Sequence, residues 1–185
     1  MQIRSLCLDI FLHLLYNNTV TNHRKGYDTM KKIASFTINH DVLGKGMYTS
    51  RIDGDVVTYD IRMKLPNNAE NDYLTPPAAH TFEHLFATYV RNTQYSDEIV
   101  YVGPMGCLTG FYFLVRDTMP QETAIRLVQE CFAFIAAFEG EIPGNKRVEC
   151  GNYKMHDLGG AKAIAEDMCR VLAGWTPQQL TYPTA

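Results

Sequence analysis

The clearest regular pattern along the chain is an alternation of apolar and polar residues between positions 57 and 65. The apolar positions are Val57, Tyr59, Ile61, Met63 and Leu65. Because successive side chains of a strand point to opposite faces, this alternation predicts a strand with one buried face. The turn-forming residues Asp53-Gly54-Asp55 come just before it. We therefore predict a β-hairpin from about Met47 to Leu65.

Three later segments have apolar residues at the spacing of an amphipathic helix. The first starts at Pro76-Pro77, the second starts near Pro120, and the third ends before Gly174. Proline is common in the first turn of a helix, and glycine is common just after the last turn. Two more strands, at Tyr101 and at 111–115, flank a tight glycine-rich loop. This order of elements predicts an α+β fold, in which helices pack on an antiparallel sheet.

The first predicted helix carries the residues of greatest chemical interest, His80, Glu83 and His84. Residues four apart lie on the same side of a helix, so the two imidazoles can bind one divalent metal ion. Glu83 stands beside them, where a carboxylate can handle protons. The apolar stripe of this helix lies on its other side. A metal site here therefore needs a cover, either from elsewhere in the chain or from a second subunit.

Two histidines cannot complete a tetrahedral site, so at least one further ligand must come from outside this helix. The candidates are Cys107, Cys150, His156 and His40. Cys107 lies in the glycine-rich loop, where a thiol can serve as a base, although free cysteine is also common as a small buried residue. Cys150 precedes Gly151 in a polar loop and fits a ligand better. Cys131 and Cys169 fall within predicted helices, where core packing is the expected role.

Composition excludes several classes of protein. The chain has 185 residues, 46% of them apolar, which suits one globular domain. A net charge of -3 does not indicate nucleic-acid binding, and the apolar runs are too short to span a membrane. Five cysteines without regular spacing predict free thiols in a reducing cytoplasm.

Residues 1–29 are expected to be a poorly ordered amino-terminal extension, or to precede a true start at Met30. A signal peptide is disfavoured because Asp9 and His13 interrupt the apolar stretch from Leu6 to Tyr16. Residues 30–185 are predicted to form a single catalytic metal-binding domain.

Several motifs follow one another in a distinctive order between about Ile33 and Leu172. They are Ser35-Phe36 with His40, Asp60-Ile61-Arg62, HTFEHLFA at 80–87, GPMGCLTGFY at 103–112, Glu149-Cys150-Gly151 and Met155-His156-Asp157-Leu158. Together they resemble the LuxS family of S-ribosylhomocysteine lyases. The Pro-Met-Gly-Cys-x-Thr-Gly block is much more specific than the histidine motif.

The resemblance implies one divalent metal ion per subunit, held by His80, His84 and Cys150, with water or substrate completing the shell. Ferrous iron is the expected metal, and Zn²⁺ or Co²⁺ is expected to be able to replace it. Two imidazoles and a thiolate suit a metal of this borderline character.

The resemblance also implies the roles of five further residues. Glu83 and Cys107 are expected to be the catalytic acid/base pair. Ser35, His40 and Arg62 are expected to hold the substrate, the first two reaching across a homodimer interface. This places the metal-bearing helix near that interface.

The implied reaction cleaves the thioether of S-ribosyl-L-homocysteine to homocysteine and 4,5-dihydroxy-2,3-pentanedione, the precursor of the autoinducer-2 signal. Proton transfers move the sugar carbonyl along the chain until β-elimination expels the thiolate. The sequence departs from the family pattern at two positions. Tyr101 stands where many members have an acidic residue, and Gly103 stands where serine is common.

Two alternatives share the histidine motif. An inverzincin-type metallopeptidase also uses the His-x-x-Glu-His order, but it usually completes the site with a distant glutamate. A catalytically silent relative would use the metal only for structure, with a closed shell of four protein ligands.

Overall fold

The structure is a computed structural model that describes residues 30–184. The described residues fall into two compact units, 30–37 and 38–184. The first contains the short 3-10 helix Ala34–Phe36. The predicted extension at 1–29 and the thiol of Cys7 lie outside the described residues.

The second unit contains a four-stranded sheet. Its strands are β1 (Gly46–Asp53), β2 (Val56–Arg62), β3 (Ile99–Pro104) and β4 (Gly110–Arg116). Their order in the sheet is β1-β2-β4-β3, and every neighbouring pair is antiparallel. The predicted hairpin is confirmed, and Gly54 provides the positive φ of 62° that its turn requires.

Three α-helices follow the predicted pattern: α1 (Pro76–Arg91), α2 (Gln121–Ala137) and α3 (Leu158–Val171). Thr75 caps α1 by accepting a hydrogen bond from the Ala78 amide, and Asp157 caps α3 by accepting one from Gly160 at 2.8 Å. The α+β prediction with an antiparallel sheet is thus confirmed. Among the described residues, no helix has the length and apolar character needed to cross a membrane.

An aromatic cluster joins α1 and α2 to one face of the sheet. Phe82 of α1 lies 5.2 Å from Phe111 of β4 and 5.1 Å from Phe132 of α2, measured between ring centroids. All three rings are fully buried. Large apolar groups of this kind supply most of the packing energy of a small domain. They fix one side of α1 and leave its histidine side for the site.

The segment before β1 is tied to α3 by an ion pair between Lys45 Nζ and Asp167 Oδ2 at 2.8 Å. Burial alone would raise the pKa of Asp167, but hydrogen bonding and charge from Lys45, with a smaller effect of Arg170, lower it overall. A lowered carboxyl pKa stabilises the folded state above the usual aspartate range, and this stabilisation is lost as the pH falls through the folded-state pKa.

Lys45→Met is therefore expected to cost about 0.5 kcal/mol at neutral pH, because the pair is partly exposed to solvent. The difference from the wild type should shrink toward zero as Asp167 becomes protonated. Urea unfolding of both proteins, from neutral to acid pH, measures the free energy lost at each pH. An equal loss at every pH would mean that Lys45 contributes through packing and not through its charge.

Candidate metal centre and active site

Four side chains converge at one end of α1. His80, His84, Cys150 and His156 each bring a possible metal-ligating atom within 4.8 Å of the other three. The Sγ atom of Cys150 lies 3.4 Å from Nε2 of His80. In a tetrahedral zinc site with usual bond lengths, neighbouring ligand atoms lie about 3.5 Å apart. The spacing of Cys150 and His80 therefore fits two ligands of one such ion, and His84 and His156 lie close enough to be further candidates.

The imidazoles of His80 and His84 are each oriented by a backbone carbonyl. Nδ1 of His80 lies 2.8 Å from the Met155 oxygen, and Nδ1 of His84 lies 2.7 Å from the Pro143 oxygen. A carbonyl can only accept, so both Nδ1 atoms carry the proton. Both Nε2 atoms are then left with a free lone pair, which is the arrangement usual in metal-binding histidines.

Cys150 is held in the loop before α3. Its sulfur accepts a hydrogen bond from the Asn152 amide at 3.4 Å, and its own amide donates to the Lys146 carbonyl. These two hydrogen bonds help to fix the sulfur in its position 3.4 Å from Nε2 of His80. Of the four candidates for the further ligand, the structure brings Cys150 and His156 into the group but not Cys107 or His40.

Thr81 connects α1 to the loop that carries the last two members of the group. This fully buried side chain donates to the Pro77 carbonyl at 3.0 Å and accepts from the Asp157 amide at 2.8 Å. It also lies 3.1 Å from Nδ1 of His156. Burial, followed by the nearby His80 and His84, lowers the pKa of His156 and favours the neutral imidazole.

Cys107 lies outside the metal group, exposed at the tip of the loop between β3 and β4. Its sulfur is 3.0 Å from Oγ1 of Thr109 and 4.0 Å from Nη1 of Arg62. Leu108, the next residue, has a positive φ of 57°, which is rare for a side chain of its size. Such backbone conformations are concentrated at functional sites.

Arg62 is almost fully buried and forms an ion pair with Asp60 at 2.5 Å. Burial alone would lower the pKa of Arg62, but the charge and hydrogen bond of Asp60 raise it overall. The guanidinium also donates to Thr109, and Tyr182 donates to Asp60 at 2.9 Å. Arg62 is thus a fixed positive charge whose Nη1 atom lies 4.0 Å from the Cys107 sulfur.

Glu83 is half-buried on α1 and lines a cavity of about 480 Å³ together with Tyr101 and Arg91. The remaining predicted site residues lie earlier in the chain. Ser35 belongs to the short helix of the first unit. His40 belongs to the second unit, where its Nδ1 contacts the Ile38 carbonyl at 2.9 Å.

The two departures from the family pattern are neighbours in space. Tyr101 and Gly103 lie two residues apart on β3, and a Cβ atom added to Gly103 would fall 2.0 Å from the Tyr101 hydroxyl. The tyrosine ring therefore lies over the glycine and occupies the space that a serine side chain would need.

Gly103→Ala is expected to lower the free energy of unfolding by about 1 kcal/mol, because the new methyl group forces the Tyr101 ring away. In a Tyr101→Ala background the same change should be neutral or slightly stabilising, since alanine restricts the unfolded chain more than glycine does. Urea unfolding of the four proteins gives the coupling energy. If Gly103→Ala lowered the free energy of unfolding equally in both backgrounds, the Tyr101 ring would not be what opposes the new methyl group.

Several partners in the site have no distinct signal in the sequence. The carbonyl groups that orient His80 and His84 belong to Met155 and Pro143, and every residue carries a carbonyl. The sequence does indicate one partner, Asp60. It lies two residues before Arg62 on the same strand, so both side chains point to one face of the sheet.

The fold and the four converging side chains define an α+β protein with a candidate metal centre. The family model for S-ribosylhomocysteinase (LuxS) matches residues 33–179. A protein of Phocaeicola vulgatus named S-ribosylhomocysteine lyase is 50% identical over 161 residues, which cover 84% of this chain and 99% of the relative. Proteins of the same name from Porphyromonas gingivalis and Clostridium acetobutylicum are 49% and 43% identical, each over 83% of this chain and 99% of the relative. The chain belongs to the S-ribosylhomocysteinase (LuxS) family.

Proposed function

We propose that this protein is a lyase that cleaves S-ribosyl-L-homocysteine into homocysteine and 4,5-dihydroxy-2,3-pentanedione. The observation that carries the proposal is the joint presence of the metal group at His80, His84 and Cys150 and a separate thiol, Cys107, beside a buried arginine. The family match and the names of the relatives support it.

His80, His84 and Cys150 are the proposed ligands of one divalent metal ion, ferrous iron in the cell, with Zn²⁺ or Co²⁺ as substitutes. When bound, the ion supplies Lewis-acid polarisation of the substrate carbonyl, which acidifies the neighbouring C–H bonds. The carbonyl contacts at Nδ1 of His80 and His84 would leave the Nε2 atoms of both rings free to hold the ion.

Cys107 and Glu83 are the proposed proton carriers. As a thiolate, Cys107 accepts a proton at Sγ from a sugar carbon, and Glu83 accepts or returns protons at its carboxylate oxygens. Repeated transfers move the carbonyl until a final proton removal expels the homocysteine thiolate. The bond broken is C–S, no water is consumed, and no oxidant is needed.

Arg62 is proposed to support Cys107 by keeping a positive charge near its sulfur. Its guanidinium is held by Asp60 and Thr109, so its charge cannot move away when the thiol changes protonation state. The sequence resemblance gives Arg62 a substrate-holding role. The Nη1 atom of Arg62 also lies 4.0 Å from the Cys107 sulfur, so a second role beside the proposed proton carrier is part of this proposal.

A homodimer is the proposed assembly, with Ser35 and His40 completing the site of the partner subunit. Exposed apolar side chains support it: Ile33 and Phe36 flank Ser35 with 56% and 70% of their surfaces exposed, and Val148, near Cys150, is 92% exposed. Apolar groups beside a functional site are typical of an interface.

Mixing two inactive variants tests this assembly. If His40 serves the partner's site, a heterodimer of Cys107→Ala and His40→Ala subunits has one intact site. Refolding the two together should then restore about a quarter of wild-type turnover, as random pairing in a two-fold dimer requires. If both residues serve the same subunit, no site is intact and the mixture stays inactive.

Release of free homocysteine thiol tests the activity itself. Protein reconstituted with ferrous iron should release the thiol from S-ribosylhomocysteine, and protein treated with a chelator should not. The absence of release from the iron-loaded protein would contradict the lyase.

The metallopeptidase has less support. Its third ligand would be a carboxylate, whereas the structure places the Cys150 sulfur 3.4 Å from His80. The family match favours the lyase over this peptidase, and the names of the relatives support an active lyase over a catalytically silent one.

A further inference from the structure

Two charged side chains of β2 are buried on the face of the sheet that lies opposite the aromatic cluster. Ile61 pairs with Phe111 of that cluster, and successive side chains of a strand alternate, so Asp60 and Arg62 point to the other face. Both are almost fully buried. Buried charges are costly unless they are paired and hydrogen-bonded. The partners of Asp60 and Arg62 therefore decide how rigidly this part of the site is held.

Asp60 fixes the orientation of Arg62 through two parallel hydrogen bonds. Its Oδ1 atom accepts from Nε at 3.1 Å, and its Oδ2 atom accepts from Nη2 at 2.5 Å. A bidentate pair of this kind fixes the plane of the guanidinium. The third nitrogen, Nη1, donates to Thr109 and lies 4.0 Å from the sulfur of Cys107. The position of Asp60 therefore determines where Nη1 is presented.

Tyr182, near the carboxyl end of the chain, holds Asp60 in turn. Its hydroxyl donates to Oδ2 of Asp60 at 2.9 Å, across 122 positions of sequence. Its ring stacks on that of Tyr48, with centroids 5.1 Å apart and planes 21° apart. Burial, followed by the charge of Asp60, raises the pKa of Tyr182, so the hydroxyl keeps its proton and remains a donor. Oδ2 of Asp60 thus has two donors, one from Arg62 and one from Tyr182.

The segment that carries Tyr182 is itself anchored to the domain. It follows the short 3-10 helix Pro177–Leu180, whose Leu180 side chain is buried. Just before this helix, Nε1 of Trp175 donates to the Met47 carbonyl of β1 at 3.1 Å. These contacts hold the end of the chain against the sheet, so that the Tyr182 hydroxyl reaches β2.

We propose that Tyr182 is a positioning residue: by holding Asp60, it fixes the direction in which Arg62 presents Nη1 to the substrate. This role rests on the proposed function, in which Arg62 holds the substrate. Tyr182 contacts Oδ2 of Asp60, and Asp60 contacts the guanidinium. The contribution of Tyr182 is therefore expected in substrate binding and not in a proton transfer.

Tyr182→Phe removes only the hydroxyl and keeps the ring that stacks on Tyr48. We expect the KM for S-ribosylhomocysteine to rise about ten-fold, the lower end of what a hydrogen bond to a charged group contributes. The turnover number should stay within about two-fold of the wild type, because Cys107, Glu83 and the metal group are untouched. If Tyr182 only supported the fold, a fraction of the enzyme would unfold, which lowers the apparent turnover number and leaves KM unchanged. An unchanged KM would overturn the proposal.

Tyr48→Phe is the matched control. The Tyr48 ring is the other member of the stack, and its hydroxyl donates to the Gly44 carbonyl at 3.2 Å and not to Asp60. This variant should keep the wild-type KM, whatever stability it loses in urea unfolding. An equal rise of KM in both variants would assign the effect to the packing of the two rings and overturn the role of the Tyr182 hydroxyl.

Hydrogen exchange at Nε of Arg62, followed by NMR in Zn²⁺-loaded protein, tests the same link without substrate. The Nε proton is bonded to Asp60, so it should exchange slowly in the wild type. Exchange should be about ten-fold faster in Tyr182→Phe and unchanged in Tyr48→Phe, and Arg62→Lys identifies the resonance by removing it. Unchanged exchange in Tyr182→Phe would overturn the link from Tyr182 to Arg62. Failure of the lyase function is detected separately, as the absence of thiol release from the iron-loaded wild type.

Discussion

Cys107→Ala is expected to lower the turnover number by about a thousand-fold or more, the usual effect of removing a group that transfers protons in the rate-limiting steps. The variant should bind one metal ion per subunit as the wild type does, because Cys107 is not in the metal group. Cys107 is also exposed, so its loss leaves no cavity in the core. Thiol release and elemental analysis of the same sample measure both properties.

Cys169→Ala is the matched control for this prediction. Cys169 is a partly buried thiol on α3, outside the metal group, and its removal should leave turnover and metal content close to those of the wild type. If Cys107→Ala instead lost the metal, the roles assigned to Cys107 and Cys150 would be reversed. Full turnover in Cys107→Ala would remove it from the mechanism altogether.

Cys150→Ala is expected to lose the metal and, with it, all turnover. Cys150 supplies the only sulfur in the group, and imidazoles alone bind a borderline metal less tightly than a set that includes sulfur. We expect affinity to fall by more than about 100-fold, the upper limit seen when only a supporting residue is lost.

Competition with a chromophoric chelator measures that affinity. Cys107→Ala, which also loses one thiol, is the control and should compete like the wild type. Retention of wild-type affinity by Cys150→Ala would show that the sulfur near His80 is not a ligand.

Local patterns predicted the elements of the fold well, because each depends on residues close in sequence. Alternation of apolar residues located β2, and Pro76 marked the start of α1. The spacing of His80 and His84 was sufficient to place both rings on one side of that helix. Such inferences need only the periodicity of helix and strand.

The completion of the site depends on residues far apart in sequence and was harder to predict. Thr81 and His156 are separated by 75 positions, and the contact between them exists only once α1 and the loop before α3 are in place. The contact between Tyr101 and Gly103 was also hard to predict, although these residues are close in sequence. Both residues depart from the family pattern, but their contact depends on the direction of the tyrosine ring, which no sequence pattern specifies.

The most direct test of the central claim is the mass of the five-carbon product released with homocysteine. The proposed elimination consumes no water, so the product should be a diketone lighter than a pentose by one water molecule. An ortho-diamine reagent traps such a diketone as a quinoxaline for mass spectrometry. Detection of that adduct, in amounts equal to the thiol released, is the predicted result. Release of an intact pentose with the thiol would show that the bond is hydrolysed and would contradict the lyase mechanism.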